Sequence, residues 1–317
     1  MSQRDSSVAR EDVSGLLEKA YDLVKVHSLT EAIDVLEHAL SVDFDHEEVV
    51  RALKYVNFWK ERRQSAETIA NYFERAEFLL AQWNVFGGFV ERVGIAGEQC
   101  LFAVRQHVFG QALEYYQRLL RESDTKDPLL LHRIGRCHKG KGEYDSALRY
   151  LETAASARSD DPAILAGLAD CYALVNEVQA AKAFFREAFF IGPDKIDLSS
   201  LESEMIQRLV TKVKEMGYTS PALEEWIPVY AVLLGVFTVK RELRSIEYGK
   251  LKQSIYAIER EMSDAQDSRE ALLPRLINRY FWLIDHYINT KEDQSKVDEV
   301  LLKLRSIHPK IYQQYIS

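Results

Sequence analysis

A chain of 317 residues, 47% hydrophobic and 28% charged, can bury a core without disulfide or metal support. Its net charge of −8 disfavours a general grip on nucleic acid. Its three cysteines, Cys100, Cys137 and Cys171, are odd in number and lack CxxC spacing, which argues against a disulfide framework and a zinc site.

Only 14 glycines and 7 prolines punctuate this length, a pattern of long helices rather than many short strands. The opening MSQRDSSVARED has no apolar run, so no signal peptide is read there. The longest apolar run, 226–239, is broken by Pro228 and spans about 14 residues, where a membrane helix needs about 20. A reducing, cytoplasmic setting is expected.

In chain order, the first candidate unit is 13–46, with Leu16, Ala20, Leu29, Ala32, Leu36 and Ala39 at helix–turn–helix spacing. Residues 47–92 keep helical periodicity in another arrangement. Val49, Leu53, Val56 and Trp59 form one stripe, and Ile69, Phe73, Ala76 and Leu80 another. This is a degenerate repeat or an inserted helix pair, ending at Gly87-Gly88. Residues 93–126 return to the first spacing with Cys100, Phe109, Ala112, Tyr116 and Leu119.

The strongest pair follows. Residues 128–161 align with 162–195 at a shift of 34. Asp127-Pro128 falls on Asp161-Pro162, Gly135 on Ala169, Cys137 on Cys171, Ala147 on Ala181, Leu151 on Phe185 and Ala154 on Ala188. Asp-Pro supplies an N-cap acceptor before a proline at the first helical position. Gly142 and its counterpart Asn176 suit the left-handed residue that turns one helix into the next. Small residues at the aligned positions let helices approach closely.

Beyond 195 the register is lost and helices are predicted at 198–216, 221–237, 239–262, 269–289 and 297–307. The polar stretch 263–268 is a loop. The tail 308–317, with Ile311, Tyr312, Tyr315 and Ile316, is expected to cap the preceding helix, the alternative being an exposed handle for another subunit.

No stretch carries a catalytic or cofactor motif. Lys139-Gly140-Lys141-Gly142 lacks the strand and the Lys-Ser/Thr of a phosphate loop and sits in a repeat turn. The eight histidines show neither HxxxH nor HExxH spacing. Cys137 adjoins His138, but helix neighbours point about 100° apart, so the cysteines read as small buried hydrophobes. Glu202/Glu204 and Glu224/Glu225 are too close in sequence to oppose each other across a cleft. The basic cluster Lys60-Glu61-Arg62-Arg63 reads as a solvated face or helix end, the alternative being a contact point for an acidic partner. No enzyme activity, cofactor or metal is expected.

The 34-residue pattern resembles the tetratricopeptide repeat, a helix–turn–helix unit with small residues at positions 8, 20 and 27. Pro193 stands at position 32, where the family usually carries proline. The resemblance covers 128–161 and 162–195 well, and 13–46 and 93–126 less well. It implies an all-α, right-handed α-solenoid of stacked hairpins continuing into degenerate C-terminal helix pairs. Residues 1–195 form the repeat region, with 47–92 degenerate, and 196–317 a helical region of degenerate repeats or a small bundle.

The resemblance also implies a partner-binding groove. His132, Arg133, Arg136 and Lys139 share one helix face, at positions 5, 6, 9 and 12, which line the concave wall in the family. Arg105, at position 13 of the preceding unit, lies near that wall. These five cationic groups are expected to dock the carboxylates of a protein or peptide partner. The family's two-carboxylate clamp is not reproduced, because Leu17, Tyr21 and Asp170 stand at its positions. The expected function is a non-catalytic scaffold or adaptor holding a peptide or helix in the groove. A second reading is a structural protein that homo-oligomerises through its C-terminal helices.

Overall fold

The computed structural model describes residues 12–122, 127–264 and 269–317. Fifteen α-helices, two 3-10 turns and no strand occur among the described residues, so the chain is all-α. Two compact units divide it, residues 1–150 and 151–317. The division falls inside a helix, whereas residue 195 marks only the end of the 34-residue register.

The first unit contains α1 (Val13–Lys25), α2 (Leu29–Val42), α3 (Glu47–Glu67), α4 (Tyr72–Val93), α5 (Glu98–Glu122), α6 (Pro128–Gly140) and the start of α7 (Tyr144–Ala157). The second holds the rest of α7, then α8 (Pro162–Leu174), α9 (Val178–Ile191), the 3-10 turns Pro193–Lys195 and Leu198–Ser200, and α10 (Glu204–Glu215). It continues through α11 (Ala222–Leu233), α12 (Ser245–Asp264), α13 (Arg269–Asn289), α14 (Gln294–Ile307) and α15 (Pro309–Ile316).

The repeat is visible in the helix boundaries. Each of α1, α6 and α8 is 13 residues long, and each of α2, α7 and α9 is 14. Every boundary of α8 and α9 lies 34 residues beyond that of α6 and α7. One turn joins each pair. Its middle residue is left-handed: His27 (φ 68°), Gly142 (φ 78°) and Asn176 (φ 66°).

In each turn the next amide closes back on the helix: Ser28 donates to the Leu23 carbonyl (2.9 Å), Glu143 to His138 (2.9 Å) and Glu177 to Tyr172 (2.8 Å). This occupies carbonyls that a helix end leaves without partners. The same closure recurs after α13, where Lys291 has φ 54° and Glu292 donates to Tyr287 (3.0 Å). The N-terminal signals also hold: Asp127 and Asp161 accept from the amides of Leu129 and Ala163, both at 3.1 Å. Small residues sit where helices touch, for Ala20, Ala32, Ala39, Ala147, Ala154, Ala169, Ala181 and Ala188 expose no surface.

Four expectations are corrected. Residues 93–126 are not a hairpin, because α5 runs unbroken through His107, Val108, Phe109 and Gly110, all buried where a turn was expected. Gly87-Gly88 does not end a helix. Burial of Phe86 and the packing of Phe89 and Val90 carry α4 on to Val93, and Gly94 stops it. The helix expected from 198 starts at Glu204, since Asp170 captures the amides of Glu202 and Ser203 (2.8–3.0 Å) and holds that stretch irregular. The helix expected from 239 starts at Ser245. Side chains of α9 take the carbonyls ahead of it: Arg186 donates to Val239 (2.9 Å) and Lys182 to Gly235 (3.5 Å). Residues 265–268 of the expected loop lie outside the described residues.

In the second unit α13 is the central helix, packed by α11, α12 and α14. Leu276, Ile277, Tyr280, Phe281, Trp282, Leu283 and Ile284 are buried along it. The tail does cap: Ile311 is buried and Tyr315 stacks on Phe281 at 4.4 Å and 9°. No helix among the described residues is long and apolar enough to cross a membrane.

One close approach departs from the repeat pattern. A Cβ on Gly140 would stand 2.3 Å from Cδ1 of Phe109 and 2.5 Å from its Cγ. Those ring atoms lie near the α5 backbone and cannot swing clear. Gly140→Ala is expected to cost about 1–3 kcal/mol by overpacking. A thermal midpoint unchanged from wild type would contradict this contact.

Candidate partner-binding groove

The cationic stripe of α6 is turned to internal use. His132 is 7% and Lys139 2% exposed. Burial, reinforced by Arg133, Arg136 and Lys139, holds the His132 imidazole down to about 3, so it is neutral at neutral pH. Arg133 donates to Glu77 at 2.6 Å, and the same carboxylate accepts from the Tyr116 hydroxyl. Arg105 donates to the Gly140 carbonyl, its guanidinium 5.8 Å from the Phe109 ring. Arg136 is half-buried and also has partners within the chain. His132, Arg133, Arg136 and Lys139 lie near enough on α6 for the three cations to act on the His132 ring. His132 and Lys139 are buried there, whereas Arg133, Arg136 and Arg105 keep part of their surface exposed. The basic cluster on α3 is likewise engaged: Arg62 lies 3.5 Å from the Phe58 ring, and Arg63 donates to the His27 carbonyl (2.6 Å).

All three cysteines are buried and outside any disulfide, and burial pushes the Cys100 and Cys137 thiols up to about 12. Lys139 and Gly140 end α6, and Lys141 and Gly142 form the turn into α7. Glu204, Glu224 and Glu225 are engaged by Arg208, Ser220 and Arg275. Among the described residues, no three His, Cys, Asp or Glu side chains cluster to hold a metal ion.

A groove of about 1210 Å³ lies wholly within the second unit. Its walls come from the C-terminal half of α7, from α8 and α9, and from residues 241–250. Leu165 and Leu168 of α8, with Phe184 and Ile191 of α9, give it an apolar floor. Tyr172 donates to Glu152 at 2.7 Å. Burial and that bond push the phenol up to about 12.

The far wall is an irregular strap, 234–244, laid across α9. Phe237 stacks on Phe185 (6.4 Å, 14°), and Lys240 pairs with buried Asp285 at 2.6 Å. Arg241 at the end of the strap is held in a fork. Glu187 accepts from it twice at 2.9 Å, and Glu247 accepts at 2.9 and 3.2 Å. Arg244 donates to Glu247 at 3.0 Å, and its amide donates at 2.8 Å. The Arg244 and Arg241 bonds hold the Glu247 carboxyl down at about 2. Sequence reading missed this wall. Arg241 and Glu187 are 54 residues apart, and no local spacing signals their meeting.

The tetratricopeptide-repeat family model matches residues 139–204, the end of α6 through α9 and the following turns. A comparison with curated proteins finds no match. Over this stretch the paired 13- and 14-residue helices and their shared left-handed turns are similar to tetratricopeptide repeats, in a chain that is all-α among its described residues.

Proposed function

We propose that the chain is a non-catalytic scaffold that binds other proteins, and that the groove of the second unit receives a segment of the partner. The observation that carries this reading is the groove itself. It has a concave apolar floor on repeat helices, a charged rim, and an ordered wall built by the irregular strap. Concave apolar surfaces with a few convergent polar groups are the default binding sites of folded proteins. Repeat hairpins supply a rigid frame for one. The C-terminal helices offer less to self-assembly, since the apolar stripe of α13 is buried within its own unit.

The test is to fill the groove. Ser156→Arg with Ala183→Arg puts two long side chains into it from α7 and α9. Wild-type and filled chains, matched for helical content and thermal midpoint, are used to capture proteins from native cell extract. A protein bound by wild type and lost from the filled chain is the expected result. Identical capture by both would overturn the groove assignment.

A further inference from the structure

Building on the groove reading, we infer that its partner segment is basic and amphipathic, with lysines and arginines along one side and apolar residues along the other. The lining carries five carboxylates, Glu152, Asp160, Glu187, Glu242 and Glu247, against three cations, Arg241, Arg244 and Lys250. Glu187 and Glu247 balance the charges of the two arginines. What remains toward a visitor is Glu152, Asp160 and Glu242 against Lys250 and the exposed head of Arg244, still an excess of negative charge. Among the described residues, Asp160 and Glu242 have no ion-pair partner. The Glu152 carboxylate accepts from the Tyr172 hydroxyl through one oxygen, leaving lone pairs available.

A second observation shows what this wall accepts. The guanidinium of Arg241 arrives on an irregular segment, is gripped by two carboxylates, and lies 5.6 Å from the Trp282 ring. The groove margin thus already holds one arginine presented by extended backbone. Such charge-assisted, forked bonds are the strong ones.

The apolar half of the requirement is equally visible. Ile246 on the rim is 75% exposed and Ile191 is 36% exposed, both facing the space above the buried floor of Leu165 and Leu168. A purely polar basic segment would leave these uncovered. A purely apolar one would desolvate three carboxylates without partners, at a cost that disfavours it. Only a segment with both faces satisfies the lining.

The experiment uses the full chain and two fluorescent probe peptides of about 18 residues, long enough for a helix. One has a leucine face and a lysine face; the other replaces every lysine by glutamate. The expected result is binding of the Leu/Lys probe alone, weakened at least about tenfold by Glu152→Lys with Asp160→Lys and Glu242→Lys. A control chain, Glu31→Lys with Asp34→Lys and Glu37→Lys on exposed α2, changes net charge equally and should leave binding within about twofold. Equal binding of both probes, or equal weakening by the two triple variants, would overturn the inference and reduce it to general attraction toward an acidic protein. Loss of native capture in the filled chain with no Leu/Lys binding would keep the groove and refute the basic partner. Unaltered native capture in the filled chain would refute the groove itself.

Discussion

Replacing Asp285 with alanine is expected to destabilise the protein by about 3–5 kcal/mol, the cost of leaving one partner of a buried ion pair alone. Asp285 on α13 is buried and holds buried Arg186 of α9 on one side and Lys240 of the strap on the other. Arg186 has further support from the Val239 carbonyl (2.9 Å) and the Trp282 ring (4.8 Å). Neither contact neutralises its charge. Without Asp285, a guanidinium sits in an apolar setting with no counter-ion.

The double replacement Arg186→Met with Asp285→Leu separates charge from packing. Such exchanges of a buried pair for apolar residues are often neutral or stabilising, and Lys240 is exposed enough to turn to water. Urea unfolding should therefore show a large loss for the single variant and recovery of most of it in the double. Equal losses in both would show that the site is held by shape and that the ion pair adds little.

Acid should weaken the first unit through two buried histidines. Burial holds His132 down to about 3, and burial with the neighbouring His27 ring does the same to His107. In the unfolded chain both recover an ordinary value near 6.5. Between those limits the unfolded chain carries protons that the folded chain refuses, so stability falls as pH falls through that window. Each histidine contributes a slope of about 1.4 kcal/mol per pH unit, and each accumulates on the order of 5 kcal/mol across the window. The depressed Glu247 adds loss only further down, between about 4.5 and 2. Denaturation midpoints at pH 7, 6, 5 and 4 should drop steadily in wild type. His132→Leu should remove about half of that slope, and the added His107→Leu most of the remainder. An unchanged slope in both variants would contradict neutral, buried imidazoles.

What could be read from the sequence was whatever chemistry is local. Asp127-Pro128 and Asp161-Pro162 set helix starts by their own side chains. Gly142 and Asn176 set turns by their own backbone preference. Alanines at contact positions, from Ala20 to Ala188, recur because close helix approach excludes anything larger. The turns at His27 and Lys291 use the same left-handed geometry with residues that do not advertise it. Continuous α5 and α4 defeated the spacing argument, since apolar packing outweighed the glycines placed there.

The site was less legible for a different reason. Helical periodicity says which residues share a face, and it grouped His132, Arg133, Arg136 and Lys139. It does not say which of those groups pack inward: His132 and Lys139 do, and Arg133 pairs with Glu77. The strap with Arg241 was read as helix because its fixing contacts come from Lys182, Arg186 and Glu187, more than 50 residues earlier.

Photo-crosslinking in native cells tests most directly whether the second unit seats a partner. A photoreactive phenylalanine analogue replaces Phe184 in the groove in one chain, and Phe44, which is 76% exposed on the first unit, in another. Adducts with a partner polypeptide from position 184 and none from position 44 are the expected result. Adducts from 44 alone, or the same adducts from both, would contradict it.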